Sequence, residues 1–271
     1  MSMVVQHNLT AMNSNRMLGV TTSAQAKSTE KLSSGYNIIR AADDAAGLSN
    51  SEKMRKQIRG LTQASANAQD GISTVQTAEG ALTEVHDMLQ RMNELSVKAA
   101  NGTQTTEDRS YINLEVKQLM SEIDRVASTT TFNTKNLLFG SLGKINLQVG
   151  AEASQYISLS IGKMDCATLK LTGSVTSQSK SQKLNGQVKD AIKTLNLQRS
   201  KLGAVQNRLE HTINNLDNVV ENTTSAESAI RDTDMATQMV KYSNNNILAQ
   251  AGQAMLAQSN QANQGVLSLL Q

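Results

Sequence analysis

The side chains best suited to metal binding or acid–base chemistry are three histidines, and they lie far apart. His7, His86 and His211 fall in three separate predicted helices. His86 and His211 can approach each other if their helices pair in antiparallel fashion. However, no cysteine or second carboxylate cluster accompanies them in the way that a zinc site requires. The sequence therefore predicts no metal site and no cofactor.

A carboxylate pair and a single cysteine also lack the partners that catalysis needs. We interpret the adjacent Asp43 and Asp44 as residues of a first helical turn, where negative charge favours the helix dipole. Cys166 has no second cysteine to pair with, and we expect it at the surface beside an exposed linker. Because no nucleophile–base pair and no phosphate-binding glycine loop are present, the sequence predicts a protein that is not an enzyme.

Charged residues in the N-terminal half indicate a surface of a different kind. Arg91 and Leu95 are four residues apart and Lys98 follows three residues later, so the three share one helix face. Glu115 falls in the next helix, and we expect it to lie close to them if the two helices are antiparallel. A solvated face with an Arg–Glu pair accounts for this pattern, and an exposed arginine beside an apolar residue also suits a binding hot spot.

Long helices are needed to position these residues, and the composition permits them. The chain has 271 residues without a proline, and aromatic residues make up 2%. Proline breaks helix interiors, so its absence allows very long helices. With so few aromatic residues, burial depends on narrow aliphatic seams between helices. The composition favours a mainly α fold.

A heptad seam predicts one long helix in the C-terminal half, at about residues 184–226. Apolar residues recur there at alternating steps of four and three, with Arg199 and Gln206 in the two vacant positions. A helix with such a stripe needs partners along its whole length. The seam consists of Val188, Ile192, Leu195, Leu202, Leu209, Ile213, Leu216 and Val220.

The N-terminal half supplies those partners. Three-to-four spacing of apolar residues predicts helices at about 43–100 and 106–128, and Asn101-Gly102-Thr103 marks the reversal between them. We therefore expect a long helix followed by a shorter antiparallel one.

The remaining inner segments differ in character. Residues 129–171 alternate apolar with polar side chains between glycines, which predicts short strands and hairpins. Residues 172–183 are rich in Ser, Thr, Gln and Lys, which predicts an exposed linker. With the three helices, these segments form one predicted rod domain, 43–226.

The two ends of the chain form the second predicted domain, 1–42 with 227–271. Only Arg16 and Lys27 are charged among residues 1–29, and no residue is charged among 242–271. The apolar stripes of both ends are too narrow to fold alone, since isolated helices are marginal in water. We expect both ends to be disordered in the free monomer and to fold against each other and against neighbouring copies on assembly. The candidate self-assembly residues are Val5, Leu9, Met12, Leu248, Met255, Leu267 and Leu270.

Several other classes of protein are disfavoured. Residues 1–18 contain no continuous apolar core of a cleaved secretion signal, and no stretch is apolar and long enough to span a bilayer. The formal charge of +3 is spread along the chain rather than gathered into a basic stripe. We therefore predict no membrane insertion and no nucleic-acid binding. A coiled-coil enzyme or a nucleic-acid-binding rod is the alternative hypothesis from a different functional class.

Several motifs resemble one family, the bacterial flagellins, over nearly the full length of the chain. In the N-terminal half they are KLSSGYNIIRAADDAAG at 31–47, GLTQASANAQDGI at 60–72, EGAL at 79–82 and LQRMNELSV at 89–97. In the C-terminal half they are SKLGAVQNRL at 200–209, IRDTDMA at 230–236 and VLSLL at 266–270.

The resemblance implies an architecture and a function. It implies a long antiparallel coiled-coil rod, formed by the N- and C-terminal halves, with a small β-hairpin region at the tip and a coiled coil of the chain ends lining a filament channel. The short connection near residues 170–182 implies a minimal form without variable outer domains. The implied function is that of a secreted, extracellular subunit of the flagellar filament, and a hook–filament junction protein is the nearest alternative.

The resemblance also implies partners. These are other copies of the chain, a flagellar export chaperone, the filament cap, hook-junction proteins and the host innate immune receptor Toll-like receptor 5. In the family, the residues matching Arg91, Leu95 and Glu115 belong to the surface that this receptor recognises. The residues expected at this surface are Leu89, Gln90, Arg91, Leu95, Lys98 and Glu115.

Overall fold

The computed structural model describes residues 8–140 and 143–269, with side chains described as far as residue 262. These residues form five helices and two small antiparallel sheets, which confirms the mainly α prediction. The helices are α1 Leu9–Ser34, α2 Ala45–Ala100, α3 Thr106–Thr129, α4 Gln178–Arg231 and α5 Met235–Leu269. The strands are β1 Thr131–Phe132, β2 Lys135–Asn136, β3 Lys144–Gln148 and β4 Tyr156–Ser160.

The chain divides into two compact units. The first comprises Met1–Lys56 and Asn222–Gln271, and the second comprises Gln57–Glu221. Each unit therefore contains segments from both halves of the sequence. All of α3 and all four strands belong to the second unit.

Specific caps fix both ends of α1. The side-chain oxygen of Asn8 accepts a hydrogen bond from the Ala11 amide at 3.0 Å, which satisfies a free N–H of the first turn. Gly35 ends the helix in the left-handed conformation with φ of 76°, and its N–H donates to the Lys31 carbonyl. Gly35 is therefore the C-cap of α1, a position at which a glycine avoids the steric cost of positive φ.

Helices α1 and α5 pair in antiparallel fashion within the first unit. The Asn8 amide group donates to the Ser259 carbonyl at 3.2 Å, and the Asn245 amide group donates to Ser28 Oγ at 3.5 Å. The start of α1 therefore lies beside the later part of α5, and the end of α1 lies beside its earlier part.

Helices α2 and α4 are antiparallel in the second unit. Leu61 packs with Leu216, whereas Asn93, further along α2, accepts a hydrogen bond from Asn185, nearer the start of α4. The heptad seam is the buried face of α4, as the spacing predicted. Its fully enclosed members are Val188, Leu195, Leu202 and Leu209.

This register separates two histidines that the sequence allowed to meet. Arg199 on α4 lies beside Glu79 on α2 at 3.5 Å. His86 follows Glu79 on α2. Because the helices are antiparallel, the residues of α4 beside His86 come before Arg199 in the sequence. His211 comes after Arg199 by roughly three turns. The two side chains therefore lie at different levels of the helix pair. His7 lies outside the described residues.

The predicted hairpin region contains two hairpins, β1–β2 and β3–β4, and the larger one packs beside the long helices. Leu147 of β3 and Ile157 of β4 face each other and pack with Ile72 of α2 and Leu209 of α4. The hairpin therefore lies along these helices rather than at their tip. Gly71 makes the close approach possible, since a Cβ there would lie 2.5 Å from the Leu147 side chain.

The predicted linker, 172–183, is shorter than its composition indicated, because α4 begins at Gln178. Val175 is buried in the main core, and Ser181 is buried inside the first turns of α4, where its hydroxyl donates to the Ser177 carbonyl. Segments rich in Ser and Gln can be helical when tertiary contacts stabilise the helix. The composition of residues 178–183 therefore predicted a linker where the helix has already begun.

The carboxylate pair lies just before α2 rather than in its first turn. Asp44 accepts a hydrogen bond from the Gly47 amide at 2.9 Å, which satisfies a free N–H of the helix start. Asp43 instead accepts from the amide of Arg40, and this bond lowers the pKa of its carboxyl group. Both aspartates organise the backbone before the helix.

Candidate binding and assembly surfaces

A network of hydrogen bonds holds the reversal between α2 and α3. Arg109 donates to the carbonyl of Ala99 at 3.0 Å and to that of Asn101 at 3.1 Å, which ties α3 to the last turn of α2. Thr105 and Asp108 form a capping box at the start of α3. The hydrogen bonds from Thr105 also lower the pKa of Asp108. These contacts fix the separation of the two helices beside Arg91.

Arg91 joins the two helices through an exposed ion-pair network. Its Nε donates to Glu115 on α3 at 2.9 Å, and its Nη1 donates to Glu94 on α2 at 3.1 Å. The hydrogen bond that Arg91 donates to Glu115, followed by the one that it donates to Glu94, raises the pKa of Arg91. The expected proximity of Arg91 and Glu115 is thus present in the structure.

Two residues expected at this surface are instead in the core. Leu89 is fully buried and Leu95 is 3% exposed, and both belong to the main hydrophobic cluster of the second unit. The i, i+4 relation predicted that Leu95 shares the exposed face of Arg91, but Leu95 belongs to a core cluster that includes Ile112 of α3 and Leu184 of α4. Neither leucine can meet a partner in the folded chain.

The polar members of the predicted site remain exposed. Gln90, Arg91, Lys98 and Glu115 all present accessible side chains, and we call these four residues the α2–α3 surface. It combines an arginine paired with a carboxylate, a glutamine and a lysine, all exposed to solvent.

A second surface consists of apolar side chains on the end helices. Of the predicted self-assembly residues, Leu9, Met12, Leu248 and Met255 are each more than half exposed. Val5 and Leu270 lie outside the described residues, as does the side chain of Leu267. We call the exposed apolar residues of α1 and α5 the end-helix surface; its members include Leu9, Met12, Met17, Val20, Met235, Met239, Val240, Ile247, Leu248 and Met255.

The segment that follows α1 is held by an arginine whose role the sequence reasoning did not assign. The Arg231 guanidinium lies 2.8 Å from Glu52 and 4.7 Å from the centre of the Tyr36 ring. The backbone of the same residue accepts a hydrogen bond from the Asn37 amide at 2.7 Å. Arg231 lies in the IRDTDMA motif at 230–236 and is the last residue of α4. Its place in this motif was the feature of the sequence that could have indicated a structural role.

Cys166 is buried, contrary to the expectation of a surface thiol. Its amide donates to Asp124 at 2.8 Å and its thiol donates to the Met120 carbonyl at 3.2 Å. Burial, assisted by the negative charge of Asp124, raises the pKa of the thiol to about 12. The segment 161–171 folds against α3 and encloses the cysteine, which its position near a polar linker did not reveal.

The described residues contain no group of three or more His, Cys, Asp or Glu side chains arranged to hold a metal ion. A cleft of about 740 Å³ lies between residues 168–170 and α4, with Asp190, Lys193 and Thr194 along one side. Neither histidine nor cysteine lines this cleft. Within the part of the chain described here, no helix is long and apolar enough to cross a membrane.

Comparison with known proteins decides the family. Residues 5–142 match the model of the bacterial flagellin N-terminal helical region, and residues 186–270 match that of the C-terminal helical region. The chain belongs to the bacterial flagellin family. The flagellin of Halalkalibacterium halodurans is 51% identical, with 99% of this chain and all of the relative covered.

Other members of the flagellin family are similar in sequence or structure. The flagellar filament 31.3 kDa core protein of Treponema maltophilum is 49% identical, with 99% of this chain and all of the relative covered. The crystal structure of Bacillus cereus flagellin is 28% identical with a TM-score of 0.52, covering 56% of this chain and 88% of that one. Because a full-length flagellin has nearly the same length as this chain, the family includes forms without large outer domains, and this chain is one of them.

Proposed function

We propose that this chain is the structural subunit of a bacterial flagellar filament, which it builds by polymerising with copies of itself. The observation that carries the proposal is the end-helix surface in a chain of the flagellin family. Large apolar side chains are rarely gathered on the surface of a soluble monomer unless a partner covers them. Repeated contacts around a helical assembly would bury them in every subunit.

Seeded growth tests this function. Purified chain is added to short filament fragments, and elongation is followed by negative-stain electron microscopy. Leu248→Asp should prevent growth, because it places a charge where an apolar side chain is to be buried. Asn244→Asp, one turn away, adds the same charge at an exposed polar position and should reduce growth less. A chain that never elongates from its own seeds would instead fit a hook–filament junction protein.

The end helices are proposed to order fully only on assembly. Ser28 of α1 and Ala249 and Gln238 of α5 are the buried residues of this helix pair among the described ones, so the pair has a very small core. Limited proteolysis should therefore remove roughly 40 residues from each end of the monomer, whereas the polymer resists. Equal resistance of monomer and polymer would contradict the proposal.

Export and assembly partners follow from the proposed function. The chain is proposed to leave the cell unfolded through the flagellar export channel, with a chaperone on its C-terminal tail, and to fold beneath the filament cap beyond the hook-junction proteins. Deletion of residues 235–271 should abolish chaperone binding measured by co-purification, and an equally strong complex after the deletion would contradict the proposed tail site. The role proposed for the chain is structural, with no catalytic function and an extracellular location in the filament.

The α2–α3 surface is proposed to bind Toll-like receptor 5 through Gln90, Arg91, Lys98 and Glu115. Arg91→Ala and Glu115→Ala should each weaken receptor binding by about tenfold, as loss of a central charged contact does. A matched pair for comparison is Arg125 with Glu122, an equally exposed ion pair on α3.

Alanine substitutions of Arg125 and Glu122 should leave receptor affinity unchanged. Equal affinities for all four variants would remove the α2–α3 surface from consideration. Leu89 and Leu95 are not part of this proposal, because both are buried.

A further inference from the structure

The exposed methionines among the described residues are all on the end helices. Met12 and Met17 lie on α1, and Met235, Met239 and Met255 lie on α5, with exposed fractions between 47% and 65%. A thioether at such a position is open to small oxidants in solution.

The methionines of the second unit are enclosed. Met92 and Met164 are buried in the main hydrophobic cluster, and Met88 and Met120 pack against it partly buried. The buried thiol of Cys166 is likewise withdrawn from solvent. Among the described residues, the most accessible sulfur atoms are therefore those of the end-helix surface, whereas Met54 of α2 is partly buried.

We propose that these five methionines are the chain's site of oxidation by peroxides, and that their oxidation blocks assembly. The thioether sulfur attacks one oxygen of hydrogen peroxide, the O–O bond breaks and an S–O bond forms. The second oxygen departs as hydroxide and takes the proton of the sulfur-bound oxygen, which gives water and the sulfoxide. The sulfur loses two electrons and the peroxide gains them. The product is methionine sulfoxide, which sulfoxide reductases return to the thioether.

The effect on assembly rests on the proposed function. A sulfoxide is a strong hydrogen-bond acceptor, and covering it with an apolar neighbour leaves that acceptor without a donor. The end-helix surface would then resist the contacts that polymerisation requires. In a finished filament the same side chains are covered, so free subunits react and assembled subunits are protected.

Residue-resolved oxidation is the first test. Monomer is treated with hydrogen peroxide, quenched, digested and analysed by mass spectrometry. Met12, Met17, Met235, Met239 and Met255 should oxidise at least roughly tenfold faster than Met92 and Met164. Uniform oxidation of all seven would overturn the site assignment. This readout does not depend on assembly, so it separates the proposal from the proposed function.

Seeded elongation is the second test. Peroxide treatment should abolish elongation of the parent chain, and sulfoxide reductase should restore it. A variant with all five exposed methionines replaced by leucine keeps similar apolar volume and should elongate equally well before and after peroxide. If the variant loses elongation on treatment as completely as the parent, the link to these methionines is wrong. If untreated parent chain fails to elongate, the filament function itself is contradicted.

Protection in the polymer completes the comparison. The same peroxide dose applied to preformed filaments should leave the five methionines mostly unoxidised, at least roughly tenfold less than in monomer. Equal oxidation in both states would show that assembly does not cover them and would overturn the assembly part of the proposal.

Discussion

The guanidinium of Arg231 on α4 lies 2.8 Å from the carboxylate of Glu52 on α2, and the arginine side chain is only 12% exposed. The same guanidinium faces the Tyr36 ring, so one side chain links α2, α4 and the segment after α1. This nearly buried cation stabilises the first unit, because it forms both the ion pair with Glu52 and the cation–π contact with Tyr36.

Arg231→Ala should destabilise the first unit by about 1–3 kcal/mol, because a mostly buried charged group loses its hydrogen bonds. Hydrogen exchange at the Asn37 amide, which donates to the Arg231 carbonyl, should become faster. Arg40→Ala is the matched control, since Arg40 forms an exposed pair with Glu30 and its loss should change stability by less than about 0.5 kcal/mol. Equal effects of the two substitutions would contradict the proposed role.

Leu95→Ala should destabilise the second unit by about 2–5 kcal/mol, because it leaves a cavity in the main core. Arg91→Ala, four residues away, should leave the unfolding midpoint nearly unchanged, since its ion pairs are exposed. Urea unfolding followed by circular dichroism measures both. A small effect of the leucine substitution would mean that α3 does not cover this face in solution.

Asp165 should make the second unit sensitive to acid. Burial raises the pKa of its carboxyl group, but hydrogen bonds from Thr168 and Lys163 outweigh burial and lower the pKa from 3.8 to about 2. A carboxyl with a lower pKa in the folded state stabilises the fold above pH 4, and this stabilisation is lost as the pH falls toward 2. The contribution is on the order of 2 kcal/mol.

The Asp165 contribution is measured as the difference between parent and Asp165→Asn in the free energy of unfolding at several pH values. The difference should be largest near neutral pH and should shrink between pH 4 and pH 2. A difference that stays constant across this range would show that the carboxylate does not titrate as its contacts imply.

Cys166 should react very slowly with thiol reagents in the folded protein. A thiol with a pKa of about 12 is almost entirely protonated at pH 8, and burial also keeps reagents away. Modification by a maleimide should be at least roughly a hundredfold slower than in denaturant.

The positive control for the thiol experiment is Thr176→Cys in a Cys166→Ala background, since residue 176 is exposed in the connection before α4. This cysteine should react quickly with and without denaturant. Comparable rates for Cys166 and the control in the folded state would contradict the burial of the native thiol.

The sequence predicted the long helices and the hairpins because their signals are local and repeated. The heptad at Leu195, Leu202 and Leu209 specifies one face of α4 whatever the partner is. The C-cap at Gly35 has an equally local signal, because a glycine after a helical run can adopt the positive φ that ends a helix.

Features that depend on packing between distant segments could not be predicted in the same way. Spacing alone could not show that α3 covers Leu95, or that the segment after β4 encloses Cys166. The position of β3–β4 beside α2 depends on the small volume of Gly71, which has meaning only once the partner segment is known. The four polar residues of the α2–α3 surface are exposed as the sequence indicated, whereas Leu89 and Leu95, which were expected beside them, are buried.

The hydrogen bond between Asn8 and Ser259 has a practical consequence for protein engineering. It places the beginning of α1 and the later part of α5 side by side, so a bulky group attached near Asn8 or near Ser259 would crowd the other helix. Thr176 and Ser177 are exposed just before α4, and epitopes or enzymes grafted between these two residues leave both end helices unaltered.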